Sequence, residues 1–339
     1  MKTSLRLLGV LGCGLVAALL STPSVHAAGF AKGADVSYLP QMEANGYIWK
    51  DKNGTQRDLL AILKDYQIDS IRLRTWVNPS TDSHSGHCNI YETAALAKRC
   101  KALGYRIMID FHFSDSWTSK GTQKPPAAWA NMSYTQMKQA MNDYVYHSMN
   151  VLKSNGISPE WVQIGNEENL GICTPTGSVS SNPAQMTGLL LAAYNQVKAV
   201  SPNTKVIIHL ASPQDLSAHE AWFDKYKANG GKWDICGFSS YPSASLVASL
   251  VANVKTIGQR YGKEVMIVEV GGKVSDPNGT YNTVNNFIDG MRAISTTQGG
   301  VFYWEPERYA PWTDGSANLN GAWDATTKKP THAMDAFLN

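Results

Sequence analysis

Two glutamates close apolar runs in separate parts of the chain: Glu167, in Gln163-Ile164-Gly165-Asn166-Glu167-Glu168-Asn169, and Glu269, in Ile267-Val268-Glu269-Val270. A pair of carboxyls, one protonated and one charged, is what cleavage of a glycosidic bond needs. The acid protonates the leaving oxygen while the carboxylate attacks or supports the anomeric carbon. Glu167 takes the donor's part in this reading, its proton retained by the neighbouring Glu269 charge and by partial burial, and Glu269 stays ionised if Arg74 and Tyr241 hydrogen-bond to it. Asn166, one residue ahead of the donor, is placed to reach the sugar 2-hydroxyl. Glu168 competes with Glu167. Glu167 is preferred because it directly follows Asn166, and Glu168 reads as a solvated loop charge.

Other polar residues gather at the ends of similar runs: Arg72-Leu73-Arg74-Thr75-Trp76, Asp110-Phe111-His112-Phe113-Ser114-Asp115-Ser116-Trp117, His209, Ser239-Ser240-Tyr241-Pro242 and Tyr303-Trp304-Glu305-Pro306. From these the expected substrate-binding set is Arg74, His112, Asp115, Trp117, Asn166, His209, Tyr241 and Trp304. Arg74 has an equally good reading as a structural ion-pair partner. His112 and His209, with Asp110 and Asp115, raise a metal-hydrolase alternative, but Asp-Phe-His falls short of the ligand count of a zinc site. The chain has 10 Trp and 15 Tyr, and flat aromatic faces suit the apolar faces of sugar rings. Trp76, Trp117, Trp304 and Trp312 stand in or beside the expected loops, with Trp304 the best candidate for the floor of the catalytic subsite.

Something must bring these distant residues to one place. Short apolar or β-branched runs recur at Ala34 to Tyr38, Ser70 to Trp76, Arg106 to His112, Trp161 to Gly165, Lys205 to Leu210, Ile235 to Ser239, Val265 to Val270 and Gly300 to Trp304. Each precedes a helical pattern, as in the stripes Leu59, Leu60, Ile62, Leu63 and Leu189, Leu190, Ala193, Tyr194, Val197. Gly104, Gly156 and Gly262 stand as helix stops. Strand-then-helix units with near-continuous apolar strands predict an α/β fold, a closed parallel (β/α)8 TIM barrel forming a single catalytic domain over 28–339. Its chemistry belongs at the C-terminal strand ends, where carboxylates after the fourth and seventh strands would face each other. An open doubly wound sheet is the alternative, yet the first strand runs into Ser37-Tyr38-Leu39-Pro40 and not into a glycine-rich phosphate loop.

Residues 1–27 read as a secretory signal peptide: Lys2 and Arg6, an apolar run from Leu7 to Leu20, and cleavage after Val25-His26-Ala27. The expected location is extracellular, or periplasmic. Formal charge is +3, and loss of Lys2 and Arg6 leaves 3 − 2 = +1, so no field favours a polyanion and no nucleic-acid partner is expected. No later segment is long and apolar enough to span a membrane. Among the remaining cysteines, Cys88 and Cys100 are the best candidates for a disulfide, and Cys236 is expected as a buried free thiol. No zinc spacing is present.

Several ordered motifs resemble glycoside hydrolase family 53, the arabinogalactan endo-β-1,4-galactanases. They are Gly33-Ala34-Asp35-Val36-Ser37, Arg72 through Pro79, Asp110 through Trp117, Lys124-Pro125-Pro126-Ala127-Ala128-Trp129, Gly165-Asn166-Glu167 and Tyr303-Trp304-Glu305-Pro306. The resemblance implies a retaining barrel enzyme acting on β-1,4-galactan or type I arabinogalactan of plant pectin, with Glu167 as acid/base and Glu269 as nucleophile, working as a monomer and without a cofactor. It also implies substrate-subsite roles for Arg74, His112, Asn166, Tyr241 and Trp304. The pattern is departed from at Glu168, at Val270-Gly271-Gly272-Lys273, at Leu210-Ala211-Ser212-Pro213 and at Ser243, which bears on subsite number, product length and preferred sugar. Some relatives hold calcium in the last loops; Asp276 and Asn278 could offer oxygens, but the loop is short and no required metal is expected. Another β-1,4-linked polymer as substrate, or a non-catalytic carbohydrate-binding barrel, are the alternatives.

Overall fold

The computed structural model describes Met1 and residues 29–84, 86–295, 299–312 and 319–339; the expected signal peptide lies outside them. Eight parallel strands close into a barrel: β1 Ala31–Asp35, β2 Ser70–Thr75, β3 Arg106–Phe111, β4 Trp161–Gln163, β5 Lys205–Ala211, β6 Ile235–Ser239, β7 Glu264–Val270 and β8 Gly300–Trp304. Sequential strands are neighbours throughout, and β8 pairs with β1, with Asp35 opposite Trp304. The predicted fold class is the one observed.

Around this cylinder lie α1 Leu39–Ala44, α2 Leu59–Asp65, α3 Ile90–Ala102, α4 Tyr134–Ser154, α5 Pro183–Val200, α6 Leu216–Ala228, α7 Val247–Tyr261 and α8 Pro277–Ile294. Their ends follow local chemistry. Asn89 and Glu92 form a capping box at the start of α3, and Ser133 and Gln136 do so for α4, satisfying N–H groups that the first turn leaves free. Gly104, Gly156 and Gly262 follow α3, α4 and α7 with positive φ, as the stop signals required. Asp276 caps α8 by accepting from the Gly279 N–H at 2.9 Å, which engages one of the oxygens considered for calcium.

Side chains of alternate strand residues fill two compartments. Met108, Trp161, Ile207, Ile235, Met266, Val268 and Phe302, with Ala31, pack inside the barrel, while the larger cluster lies between sheet and helices. Gly33 is required for the inner packing, because a Cβ there would stand 2.1 Å from Phe302 Cδ1. That explains a discrepancy: β1 begins three residues earlier than its predicted Ala34 start. The glycine weakens the strand pattern in sequence but makes room for a ring from β8. The eighth unit also differs, since among the described residues β8 is followed by only the 3-10 segment His332–Leu338, packed on α8.

The expected Cys88–Cys100 bridge is not formed; Cys88, Cys100, Cys173 and Cys236 are all buried free thiols. Cys100 lies ten residues beyond Ile90 along α3, which separates the pair by roughly 15 Å at 1.5 Å per residue, beyond disulfide reach. Cys236 meets its expectation, its sulfur facing Trp233 Nε1 at 3.2 Å. Among the described residues no helix is long and apolar enough to cross a membrane.

Candidate active site

The C-terminal strand ends surround a cavity of about 220 Å³ lined by Arg72, Arg74, His112, Trp117, Thr118, Asn166, Glu167, Tyr241, Glu269, Trp304 and Asn320. A larger hollow of about 480 Å³ lies between α1 and α3, mostly apolar and with Glu92 as its one carboxylate. Volume therefore does not pick the site; the paired carboxyls do.

Arg72 organises the floor. It is 1% exposed and donates from Nη1 to Asp35 at 2.6 Å, from Nη2 to Asp110 and Glu269 Oε1 at 2.8 Å and to Asn166 Oδ1 at 3.0 Å, and from Nε to Gln163 at 2.7 Å. Tyr241 donates its hydroxyl to Glu269 Oε2 at 3.0 Å. Glu269 is thus held by Arg72 and Tyr241, and the expected contact from Arg74 is corrected. Arg72 and Arg74 are two apart on β2 and share a face, so the inward pattern that pointed to Arg74 pointed equally to the deeper arginine. Arg74 is ion-paired with Glu305 and lies 4.4 Å from the ring centres of both Tyr38 and Trp117. It still lines the cavity, and its buried Nε and Nη2 have no partner among the described residues.

Burial pushes Glu269 up to about 8; Arg72 pulls the other way, and the charges of Glu167, Asp110 and Asp35 add to the rise. The expectation that Glu269 stays ionised was tied to bonds from both Arg74 and Tyr241; only the Tyr241 bond is formed, and Arg74 pairs with Glu305 instead. A carboxyl taken from water and set among other carboxylates favours its neutral form unless the cation beside it is undivided, and Arg72 is shared. Burial opposes the charge of Asp110 as well, but Arg72 and His112 outweigh it and hold that carboxyl low.

Glu167 lies four residues beyond the last residue of β4, Gln163, with φ +52°, a left-handed backbone that turns the side chain to the cavity. Its Oε1 accepts from Ser239 Oγ at 2.6 Å and its Oε2 from the Lys120 N–H at 2.9 Å. Sequence reading missed Ser239, Lys120, Thr118 and Asn320; of these only Ser239, the last residue of a strand, carried a positional signal. Glu168 is fully buried, accepts from the His209 N–H at 2.8 Å, and is raised well above the usual carboxylate range by that burial. It is a buried interior carboxyl whose neutral form burial favours, and not the solvated charge expected, because the turn at Glu167 sends the next side chain inward beneath the strand end.

His112 is buried, with Nε2 3.0 Å from Asp110 and Nδ1 accepting from the Thr118 N–H at 3.3 Å. Burial lowers its pKa against the pull of Asp110, leaving a neutral ring at the cavity wall. His209 lies beneath the cavity and does not line it; its Nδ1 accepts from the Glu167 N–H at 3.3 Å and faces Gln163. Asp115 is likewise away from it, its carboxylate accepting from the Asn78 and Ala127 N–H groups at 2.9 and 2.8 Å. The two histidines of the metal reading are thus engaged with protein groups, and among the described residues no cluster of three His, Cys, Asp or Glu could hold a cation. Trp304 packs edge-on against Trp117 and Tyr241. Trp76 and Trp312, 1% and 0% exposed, are core supports without a face for a sugar.

A closed (β/α)8 barrel with carboxyls from β4 and β7 on one sugar-sized cavity defines a glycoside hydrolase. Residues 31–337 match the family described as Glycosyl hydrolase family 53, and the chain belongs to that family. It is 33% identical over 301 residues to a probable arabinogalactan endo-beta-1,4-galactanase A of Neosartorya fischeri, covering 81% of this chain and 83% of that one. Its fold is similar to the GH53 catalytic domain of Ignisphaera aggregans, with a TM-score of 0.82, 27% identity and coverage of 93% and 97%. A fungal beta-1,4-galactanase structure gives the same TM-score and identity with coverage of 92% and 100%.

Proposed function

We propose that this enzyme is a retaining endo-β-1,4-galactanase. One observation carries the reading: Glu167 and Glu269 line the same cavity of about 220 Å³, with Arg72 and Tyr241 fixed on Glu269. Glu167 gives its proton to the departing glycosidic oxygen as Glu269, in its ionised form, attacks the anomeric carbon. Glu167 then takes a proton from water, which displaces Glu269 from that carbon and restores both groups. Arg74, His112, Trp117, Asn166, Tyr241 and Trp304 contact the sugar chain, with Trp304 beneath the ring at the cleavage point. Asp115 and His209 support the loop and the strand end.

The relatives named for action on galactan make β-1,4-galactan and arabinogalactan the substrates to test. Reducing ends released from galactan, beside mannan and β-1,4-glucan, decide among polymers. Glu167→Gln is expected to lose about 10²–10⁴-fold in turnover, and Glu269→Gln at least as much. Near-normal turnover in both variants rules the assignment out. Retention, read from the anomer first formed, checks the double displacement. Export behind a signal peptide cut after Ala27 and a monomeric state complete the proposal; mass and N-terminal sequence of protein from the culture medium test them.

A further inference from the structure

The loop between β3 and α4 carries a tight tip, Ser119-Lys120-Gly121-Thr122, closed by Ser119 N–H to Thr122 O at 2.9 Å and Thr122 N–H to Ser119 O at 3.0 Å. The tip is tied to the end of β4. Gln123, 1% exposed, donates from Nε2 to Asn166 O at 2.7 Å, Glu167 O at 3.0 Å and Ser119 O at 3.1 Å, and Asn166 Nδ2 donates to Thr118 O at 2.9 Å. At the tip, Lys120 has two separate attachments: its N–H to Glu167 Oε2 at 2.9 Å and its ammonium to Ser212 Oγ at 3.0 Å. Ser212 N–H donates to Ser239 O at 2.8 Å, and Ser239 Oγ returns to Glu167 Oε1 at 2.6 Å. Lys120, Ser212, Ser239 and Glu167 thus form a closed ring of hydrogen bonds around one carboxyl.

We propose that the Lys120–Gly121 tip is a positioning element for Glu167, in which the Lys120 N–H fixes Oε2 as an acceptor and leaves Oε1 as the oxygen that carries the catalytic proton. The inference rests on the acid/base reading of Glu167. An amide N–H can only donate, so the oxygen it faces stays unprotonated through the cycle; a serine hydroxyl donates or accepts, so Ser239 serves Oε1 with and without its proton. Gln123 holds the tip over the carboxyl through Ser119 O, Asn166 O and Glu167 O, and the Lys120 ammonium is a separate attachment to Ser212 beyond β5. The other charged or titratable groups about the site are Glu269 from β7, Tyr241 after β6, His209 from β5, Arg72 and Arg74 from β2, Asp110 and His112 from β3 and its end, and the adjoining Glu168. The carbonyls of Asn166 and Glu167 are bound by Gln123, and no other backbone N–H reaches the Glu167 carboxyl among the described residues.

Lys120→Pro and Lys120→Ala separate the two attachments. Proline lacks the N–H and suits the first position of a tight tip, whereas alanine keeps the N–H and removes the ammonium. With carboxyl-13C glutamate and Glu167→Gln to assign the signal, the Glu167 resonance is expected to move in Lys120→Pro and to stay in Lys120→Ala. On galactan, Lys120→Pro is expected to lose about tenfold or more in kcat with KM little changed. The loss should shrink on an aryl β-1,4-galactobioside with a good leaving group, which needs little proton donation. An unmoved Glu167 resonance in Lys120→Pro, or an equal loss on both substrates, overturns the proposal. If Lys120→Pro does not fold, Gln123→Met, which unties the tip, takes its place: a moved resonance and a smaller loss on the aryl substrate support the proposal, and an unmoved resonance or an equal loss overturns it. Failure of the native enzyme on galactan would instead count against the activity reading, and the resonance would still decide the role of the tip.

Discussion

Arg72 is the residue on which the chemistry of the cleft turns, because one buried guanidinium is divided among Asp35, Asp110 and Glu269. No single carboxylate receives its full charge, and burial then leaves Glu269 at about 8. Attack requires the ionised form, so kcat/KM falls as pH drops through that value, and the acid limb of the profile belongs well above the ordinary carboxylate range. Tyr241→Phe removes a donor to the charged form, moves the limb further up and lowers turnover near neutrality by roughly 10–100-fold, the worth of one charge-assisted hydrogen bond. A pH series of kcat/KM for both proteins checks the direction. Glu168 bears on stability. Its folded-state pKa is raised, so the native protein keeps a proton that the unfolded chain releases above the usual value, and stability falls as pH rises. Glu168→Gln keeps an acceptor for the His209 N–H and cannot ionise. Denaturant melts should show it more stable than the native protein at pH 7 to 8, increasingly so with pH, and without that advantage at pH 4.

At the scale of elements, the barrel strands have to satisfy two compartments with one alternating pattern, and the tight places are where a strand lacks a side chain. Gly33 is such a place: Phe302 from β8 fills the space its Cβ would take. Gly33→Ala is therefore expected to cost about 1–3 kcal/mol through overpacking, read as a lower midpoint in thermal or denaturant melts with the helices retained. The strands also end differently according to what they present. β2 places Arg72 and Arg74 in successive layers, so the first reaches the carboxyl at the end of β7 and the second reaches Glu305 after β8. β4 stops at Gln163, and the left-handed turn at Glu167 points that carboxyl to the cleft while Glu168 goes under it.

For the whole molecule, a closed barrel with a filled interior and, among the described residues, eight surrounding helices needs no covalent staple. All four cysteines of the described residues are free and buried, so the melting temperature should be the same with and without a reducing agent; a drop on reduction would reveal a bridge. Much of this architecture was legible in sequence, because strand and helix periods are local properties and eight apolar runs with intervening helical stripes admit few closures. The two strand-end glutamates were legible for the same reason, since position at the end of a parallel strand fixes the face of the barrel on which a side chain emerges. The partners of those glutamates were not. Choosing Arg72 over Arg74, burying Glu168, withdrawing Trp76, Trp312, Asp115 and His209 from the cavity wall, and bringing Lys120 and Ser239 onto Glu167 all depend on distances between segments dozens of residues apart. Sequence alone determined which residues could ionise, stack or donate and roughly at which end of the fold they lie; only the closed barrel, by setting the register and depth of each strand against its neighbours, decided which of them meet.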